Sequence, residues 1–127
     1  MAPKINVGVI GAGRIGRLHA ENLVRRIPDA QVMAISDVVK KAAEECAARL
    51  GVSKVFDDPR RILEDRSIDA VLICSSTDTH SPLMEAAAEA GKHIFCEKPI
   101  DFDLKRIDHA LAKVEAARVK LQIGFNR

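Results

Sequence analysis

Residues 4–16, KINVGVIGAGRIG, restrict what this chain can fold into more than any other stretch. The β-formers Ile5, Val7, Val9 and Ile10 run straight into Gly11, Gly13 and Gly16, and a helical pattern follows at once. Strand, glycine turn and helix in that order are the setting in which G-x-G-x-x-G carries a mechanism. Gly11 permits a tight exit from the strand. Gly13 has no Cβ, so a diphosphate can approach the backbone. Gly16 lets the helix pack close to the strand. The free N–H groups and positive dipole end of the new helix, where Arg14 and Ile15 lie, then face the phosphates. The competing reading is a glycine turn with a purely structural duty.

The pattern behind this start alternates regularly. The first strand is expected over Lys4 to Ile10 and the first helix over Arg14 to Ile27, with Ile15, Leu18, Asn22, Leu23 and Ile27 at helical spacing. Pro28 and Asp29 stop it. A second strand, Gln31 to Ser36, ends in Asp37; a helix over Val39 to Leu50 closes on Gly51. Lys54 to Phe56 is a short strand, and Asp58-Pro59 starts a short helix reaching Asp65. Ala70 to Cys74 is a continuous apolar run, as a central parallel strand buried on both faces requires. After the polar loop Ser75 to His80 come a helix over Ser81 to Ala90, ending at Gly91, and a strand over His93 to Cys96. Asp103 caps a long helix with Leu104, Ile107, Leu111 and Val114 along one face, and Lys120 to Phe125 is the sixth strand. Six strands alternating with helices imply an α/β fold: a doubly wound, all-parallel Rossmann sheet in the order 3-2-1-4-5-6, with right-handed crossovers. Ligands bind such sheets outside the carboxyl ends of the strands, where the order reverses. The loops after strands 1, 2, 4 and 5 should therefore share one site.

Other classes fall away on composition. The 20 basic residues are scattered among 18 acids, and the only aromatics are four Phe, so neither a nucleic-acid groove nor a base-stacking platform is indicated. No apolar run approaches the ~20 residues of a membrane span, so no membrane partner is expected. Met1 to Lys4 leads directly into the first strand, which suggests no signal peptide and a cytoplasmic location. Cys46, Cys74 and Cys96 are far apart, odd in number and without metal-ligand spacing, so they read as reduced core residues, and no metal site is expected.

Four groups of residues then carry the chemistry. Asp37 ends the second strand some twenty residues past Gly16, where a carboxylate accepts hydrogen bonds from the ribose hydroxyls of an adenosine and repels a 2′-phosphate. Val38 and Val39 supply no cation beside it, which favours NAD over NADP; Lys40 and Lys41, close by in sequence, weaken that preference. A helix-capping Asp is the plainer role, and both can hold. Ser75, Ser76 and Thr77 let a cofactor pass close and can bond its phosphate or ribose; an ordinary polar loop is the alternative. His80, at a helix start, joins the cofactor-side set by position, although packing or capping is the commoner role of such a histidine. Glu97 and Lys98 follow the fifth strand, and Lys98 should project into the crevice at the nicotinamide end. A lysine there can hold a substrate hydroxyl, assist a proton relay or bias the field for hydride transfer. Pro99 fixes the backbone behind it and is a place where a cis peptide can occur.

VGVIGAGRIGRLHAENL, ISDV, SSTDTH, HIFCEKPI and a last strand ending in IGFNR together resemble the N-terminal half of the Gfo/Idh/MocA oxidoreductases, the inositol 2-dehydrogenases most of all. The resemblance spans essentially the whole chain, and Glu-Lys-Pro after strand 5 is its specific part. It implies that Lys98 contacts cofactor and substrate as the catalytic lysine, and that hydride moves between NAD(P) and a polyol or sugar carbon. It also implies a second α/β domain, with an open antiparallel sheet, that builds the substrate pocket, supplies an Asp and a His for proton abstraction and commonly makes the oligomer contact. That domain lies outside these 127 residues. The expectation is thus a truncated, excised or engineered dinucleotide-binding domain over residues 1–127 that binds NAD and turns over no polyol alone. Its partners would be the dinucleotide and the missing substrate domain, with self-association through a side bared near strand 6 and its neighbouring helix. A non-catalytic NAD-binding or sensing module is the alternative from another class. A flavoprotein shares the glycine fingerprint. An S-adenosylmethionine methyltransferase usually has an acid just before the glycines, where this chain has Val9 and Ile10.

Overall fold

The computed structural model describes residues 4–124. Phe125, expected at the end of the sixth strand, and the Asn126-Arg127 ending lie outside the described residues. The elements are β1 (Ile5–Ile10), α1 (Arg14–Arg26), β2 (Ala30–Ser36), α2 (Lys40–Leu50), β3 (Lys54–Phe56), α3 (Arg60–Leu63), β4 (Ala70–Ile73), a 3-10 turn (Thr77–Thr79), α4 (His80–Glu89), β5 (His93–Glu97), α5 (Leu104–Ala117) and β6 (Leu121–Gly124). All strands pair in parallel in the order β3-β2-β1-β4-β5-β6. This is the doubly wound Rossmann sheet that the alternation implied.

Strand alternation sorts the apolar side chains into two cores. Val9, Val32 and Ile35 pack with Ala20 of α1 and Ala43, Cys46 and Ala47 of α2. Ile10, Val71, Ile73, Ile94 and Cys96 pack on the opposite face, under α3, α4 and α5. Fully buried Ile35, Ile62, Ile73 and Met84 anchor these layers, each worth about 1.5–3 kcal/mol of apolar burial. The α1–α2 core holds no buried residue of β5 or β6. That end of this face is where the larger cleft described below opens.

Helix ends follow their chemistry. Asp103 accepts a hydrogen bond from Lys105 N–H at the start of α5, and Asp58 accepts from Arg60 N–H at the start of α3. Gly51 closes α2 in the left-handed region, its N–H donating to Ala47 O. Arg118 closes α5 in the same region, with φ at 58°.

Two helix faces differ from the sequence expectation. On α1 the buried residues are Gly16 and Ala20, whereas Ile15 and Leu18 are 41% and 51% exposed. The glycine turn draws the start of the helix so near the sheet that Gly16 lies beneath it and Ile15 and Leu18 stay outside, while Leu23, farther along, packs against the core as its spacing implied. On α5 Ala110 and Val114 are buried, while Leu104 is 76% exposed. Here α5 packs through Ala110 together with Val114, which the spacing places on that face, and Leu104 in the first turn stays outside.

Candidate functional site

The carboxyl ends of β1, β2, β4 and β5 converge as expected. At the centre lies the glycine turn. Gly11 has φ at 102°, and a Cβ there would stand 2.6–2.7 Å from the Cys74–Ser75 backbone. A Cβ on Gly16 would overlap the carbonyl oxygen of Gly11. Gly13, by contrast, has nothing within 4 Å of where its Cβ would be. The first helical turn of α1 has no side-chain cap and no acid, so its leading N–H groups remain for an outside acceptor.

Asp37 already holds two backbone N–H groups. Its Oδ2 accepts from Ala12 N–H (2.7 Å), and its Oδ1 accepts from Val39 N–H (2.8 Å). One carboxylate therefore braces the glycine turn and holds Val39, the residue that precedes α2. A cavity of about 210 Å³ opens beside it, lined by Gly11, Ser36, Asp37, Ser75, Ser76 and Thr79 among others. The Ser36 hydroxyl is buried there without a hydrogen-bond partner among the described residues.

The β4 loop forms the wall between this cavity and a larger cleft of about 650 Å³. Ser75 and Ser76 line both spaces, and Thr77 lines the larger one. The hydroxyls of Ser75 and Thr79 lie 2.7 Å apart, and Thr79 donates onward to Ser76 O (2.6 Å). That chain fixes the loop from within.

Lys98 and Glu97 line the larger cleft with Ile15, Leu18, His19 and Phe95. Lys98 is exposed, and the Lys98–Pro99 peptide is cis. His19 Nε2 is 2.6 Å from Glu97 Oε1, and its ring meets Phe95 edge-on with centroids 5.2 Å apart. Cys74 also lines the cleft. Burial, with lesser repulsion from Glu97, pushes its thiol up to about 12, and burial does the same to Cys96. Neither is a nucleophile at neutral pH.

His80 is buried at the wall of the larger cleft, beside the β4 loop. It is 1% exposed, with Nδ1 at 2.7 Å from Pro99 O and Nε2 at 2.9 Å from Ser75 O. A carbonyl oxygen stands at hydrogen-bond distance from each ring nitrogen, and in either neutral tautomer the single ring N–H donates to one of them, Pro99 O or Ser75 O. Sequence reasoning missed His19, Ser36 and Thr79. His19 follows Gly16 by one helical turn, and Ser36 is the one hydroxyl ending a β-strand of apolar residues; either pattern could have singled them out.

These features fit a dinucleotide. Gly13 offers the open approach a diphosphate needs, bare N–H groups face it, and an orphaned hydroxyl and a fixed carboxylate lie to one side. Comparison with known proteins agrees. Residues 5–125 match the family model described as an oxidoreductase family with an NAD-binding Rossmann fold. The chain is similar to the myo-inositol 2-dehydrogenase of Thermotoga maritima, at 50% identity over 97% of this chain and 36% of that protein. It is 42% identical to the scyllo-inositol 2-dehydrogenase (NAD(+)) of Bacillus subtilis, over all of this chain and 37% of that protein. The structure superposes on a scyllo-inositol dehydrogenase of Lactobacillus casei, solved with NAD(H) and scyllo-inositol bound, with a TM-score of 0.91 and 36% identity over 95% of this chain and 36% of that one. The chain thus spans little more than a third of the length of these relatives. It belongs to the Gfo/Idh/MocA oxidoreductase family, as an NAD-binding Rossmann domain.

Proposed function

We propose that this chain is the cofactor half of an NAD-dependent dehydrogenase acting on inositol or a related polyol. The observation that carries the reading is the divided site, with Asp37 in the smaller compartment, Lys98 in the larger and the open Gly13 turn at the carboxyl ends between β2 and β5. In this reading the adenosine lies beside Asp37 and Ser36. The diphosphate crosses Gly13 against the N–H groups of Arg14 and Ile15, and Ser75, Ser76 and Thr77 flank it. The nicotinamide end reaches Lys98 and Glu97. NAD, when bound, supplies the hydride acceptor. Lys98 is the catalytic residue of this half, holding the substrate hydroxyl at the cleft mouth. The braced carboxylate of Asp37 favours NAD over NADP, because a 2′-phosphate would meet a negative charge that two backbone N–H groups hold in place.

The acid–base residues and substrate walls belong, in this proposal, to a second domain beyond residues 1–127. Calorimetric titration tests the first claim: NAD binds, and NADP binds at least ~10-fold more weakly, about 1.4 kcal/mol. A purified chain that binds neither overturns it. Joining the substrate domain of a relative separates a dehydrogenase half from a non-catalytic sensing module, since only the former gains inositol oxidation. The isolated chain should form no reduced nicotinamide with any polyol. Self-association through the β6 side belongs to the same proposal: Ile15 and Leu18 are exposed beside the open β5–β6 face. Light scattering at rising concentration should show a dimer, and a strictly monomeric mass removes the idea.

A further inference from the structure

The lysine of the larger cleft sits between two residues that are each held by a histidine. On one side, Glu97 Oε1 meets His19 Nε2 at 2.6 Å, and His19 stands on α1, on one face of the sheet. On the other side, Pro99 O meets His80 Nδ1 at 2.7 Å, and His80 starts α4, on the opposite face. His80 does not float: its Nε2 is 2.9 Å from Ser75 O, in the loop shared by both compartments. The His19 ring is likewise fixed, edge-on against Phe95. Lys98 itself takes no hydrogen bond or ion pair among the described residues and is exposed. Its four-carbon stem leaves the ammonium free to wander, so the direction it takes is set by the backbone on either side.

We propose that His19 and His80 are positioning residues for Lys98, clamping Glu97 and Pro99 from the two faces of the sheet so that the ammonium is aimed into the cleft. The clamp rests on the functional reading above only in naming Lys98 as the residue at the reacting end. It goes further in assigning two histidines at the cleft wall to the geometry of that lysine. Sites held within a fraction of an ångström need such supporting bonds, because a loosened side chain loses its alignment while remaining present. His80 Nε2 also stands 2.9 Å from Ser75 O, in the loop expected to touch the cofactor.

Reductive ¹³C-dimethylation of the lysines, followed by two-dimensional NMR of the full chain, reads the surroundings of Lys98 directly; Lys98→Arg assigns its signal. Four variants are compared with the unaltered chain: His19→Leu and His80→Leu, which remove the bonds, and His19→Gln and His80→Gln, which restore one donor at each place. In the free chain, each leucine variant should move and broaden the Lys98 signal while leaving that of Lys113, on the far part of α5, unchanged. The glutamine variants should return it towards its native position. On adding NAD, the change at Lys98 should shrink in His80→Leu, because the ring packed between Pro99 O and Ser75 O is gone. An unmoved Lys98 signal in both leucine variants overturns the clamp. So does a change spread equally over Lys113, or a failure of glutamine to restore what leucine removed. Where a leucine variant does not fold, Glu97→Gln and the glutamine variants decide by the same signals. The free-chain comparison needs no NAD, so absence of NAD binding would count against the functional reading and leave the clamp to be judged separately.

Discussion

At the scale of single residues, three glycines in one turn have three separable duties, and substitution should separate them. Gly16→Ala drives a methyl into the Gly11 carbonyl and should destabilise the fold by about 3 kcal/mol or more, read as a lowered urea midpoint. Gly13→Ala meets open space, so the midpoint should stay where it is while NAD affinity falls ~10-fold or more. A Gly13 variant that bound NAD normally would remove the diphosphate from that turn. Asp37→Ala should do two things at once. It narrows the preference for NAD over NADP, and by releasing Ala12 N–H and Val39 N–H it costs about 1–2 kcal/mol of stability. Cys74 lies in the cleft, yet its thiol at about 12 should resist iodoacetamide in the folded chain at neutral pH and react only after denaturation. The glycine duties and Asp37 could be read from spacing, because a turn, a helix end and a strand end are local. His19 could not be paired with Glu97, since 78 positions separate them.

Elements show where local preference and packing part company. Arg118 holds a left-handed φ of 58° at the end of α5, a conformation that costs a residue with a Cβ roughly 1 kcal/mol. Arg118→Gly should therefore raise the thermal midpoint, by about 0.5–1 kcal/mol in stability. At the amino ends of the strands, the connection from α3 to β4 is held by two side chains. Lys92 is buried and donates to Asp65 O (2.8 Å) and Ile68 O (2.7 Å); burial lowers its pKa, against the raising effect of Asp65 and Asp69. Lys92→Met leaves the Ile68 carbonyl unpaired, while Asp65 O still accepts from Ile68 N–H (3.1 Å), and should cost about 1–3 kcal/mol. Asp65 accepts from the Ser67 hydroxyl and N–H and from Lys54, which in that order hold its carboxyl from 3.8 down to about 2. Its folded value lies below the unfolded one, so its stabilisation is fully present above about pH 4 and is lost as the pH falls towards about 2. Urea midpoints of the native chain and Asp65→Asn should differ at neutral pH and converge in acid. The helical spacing of Ile15 and Leu18 pointed to a buried stripe, and of Leu104 likewise. Periodicity reports which residues share a face, whereas the distance to the neighbouring layer decides which face can be used.

For the whole molecule, binding at a site built from four strand ends should stabilise the entire sheet. Saturating NAD should raise the thermal midpoint as RT ln(1 + [L]/Kd) requires, and Gly13→Ala should abolish most of that rise at the same NAD concentration. Among the described residues no helix is long and apolar enough to cross a membrane, and of the exposed large apolar residues Ile15 and Leu18 border the larger cleft. The sequence by itself determined the alternation of strands and helices, their parallel order, the glycine turn and the places of Asp37 and Lys98. These rest on hydrophobic period, on turn chemistry and on the right-handed crossover, all of which act over a few neighbouring residues. Tertiary structure alone decided that α1 leaves Ile15 and Leu18 exposed. It alone also decided that His80 faces two carbonyls and that His19 and His80 grip the two neighbours of Lys98 from opposite faces. Those outcomes depend on how closely layers approach and which loops fold back on one another, distances that no spacing along a single chain encodes.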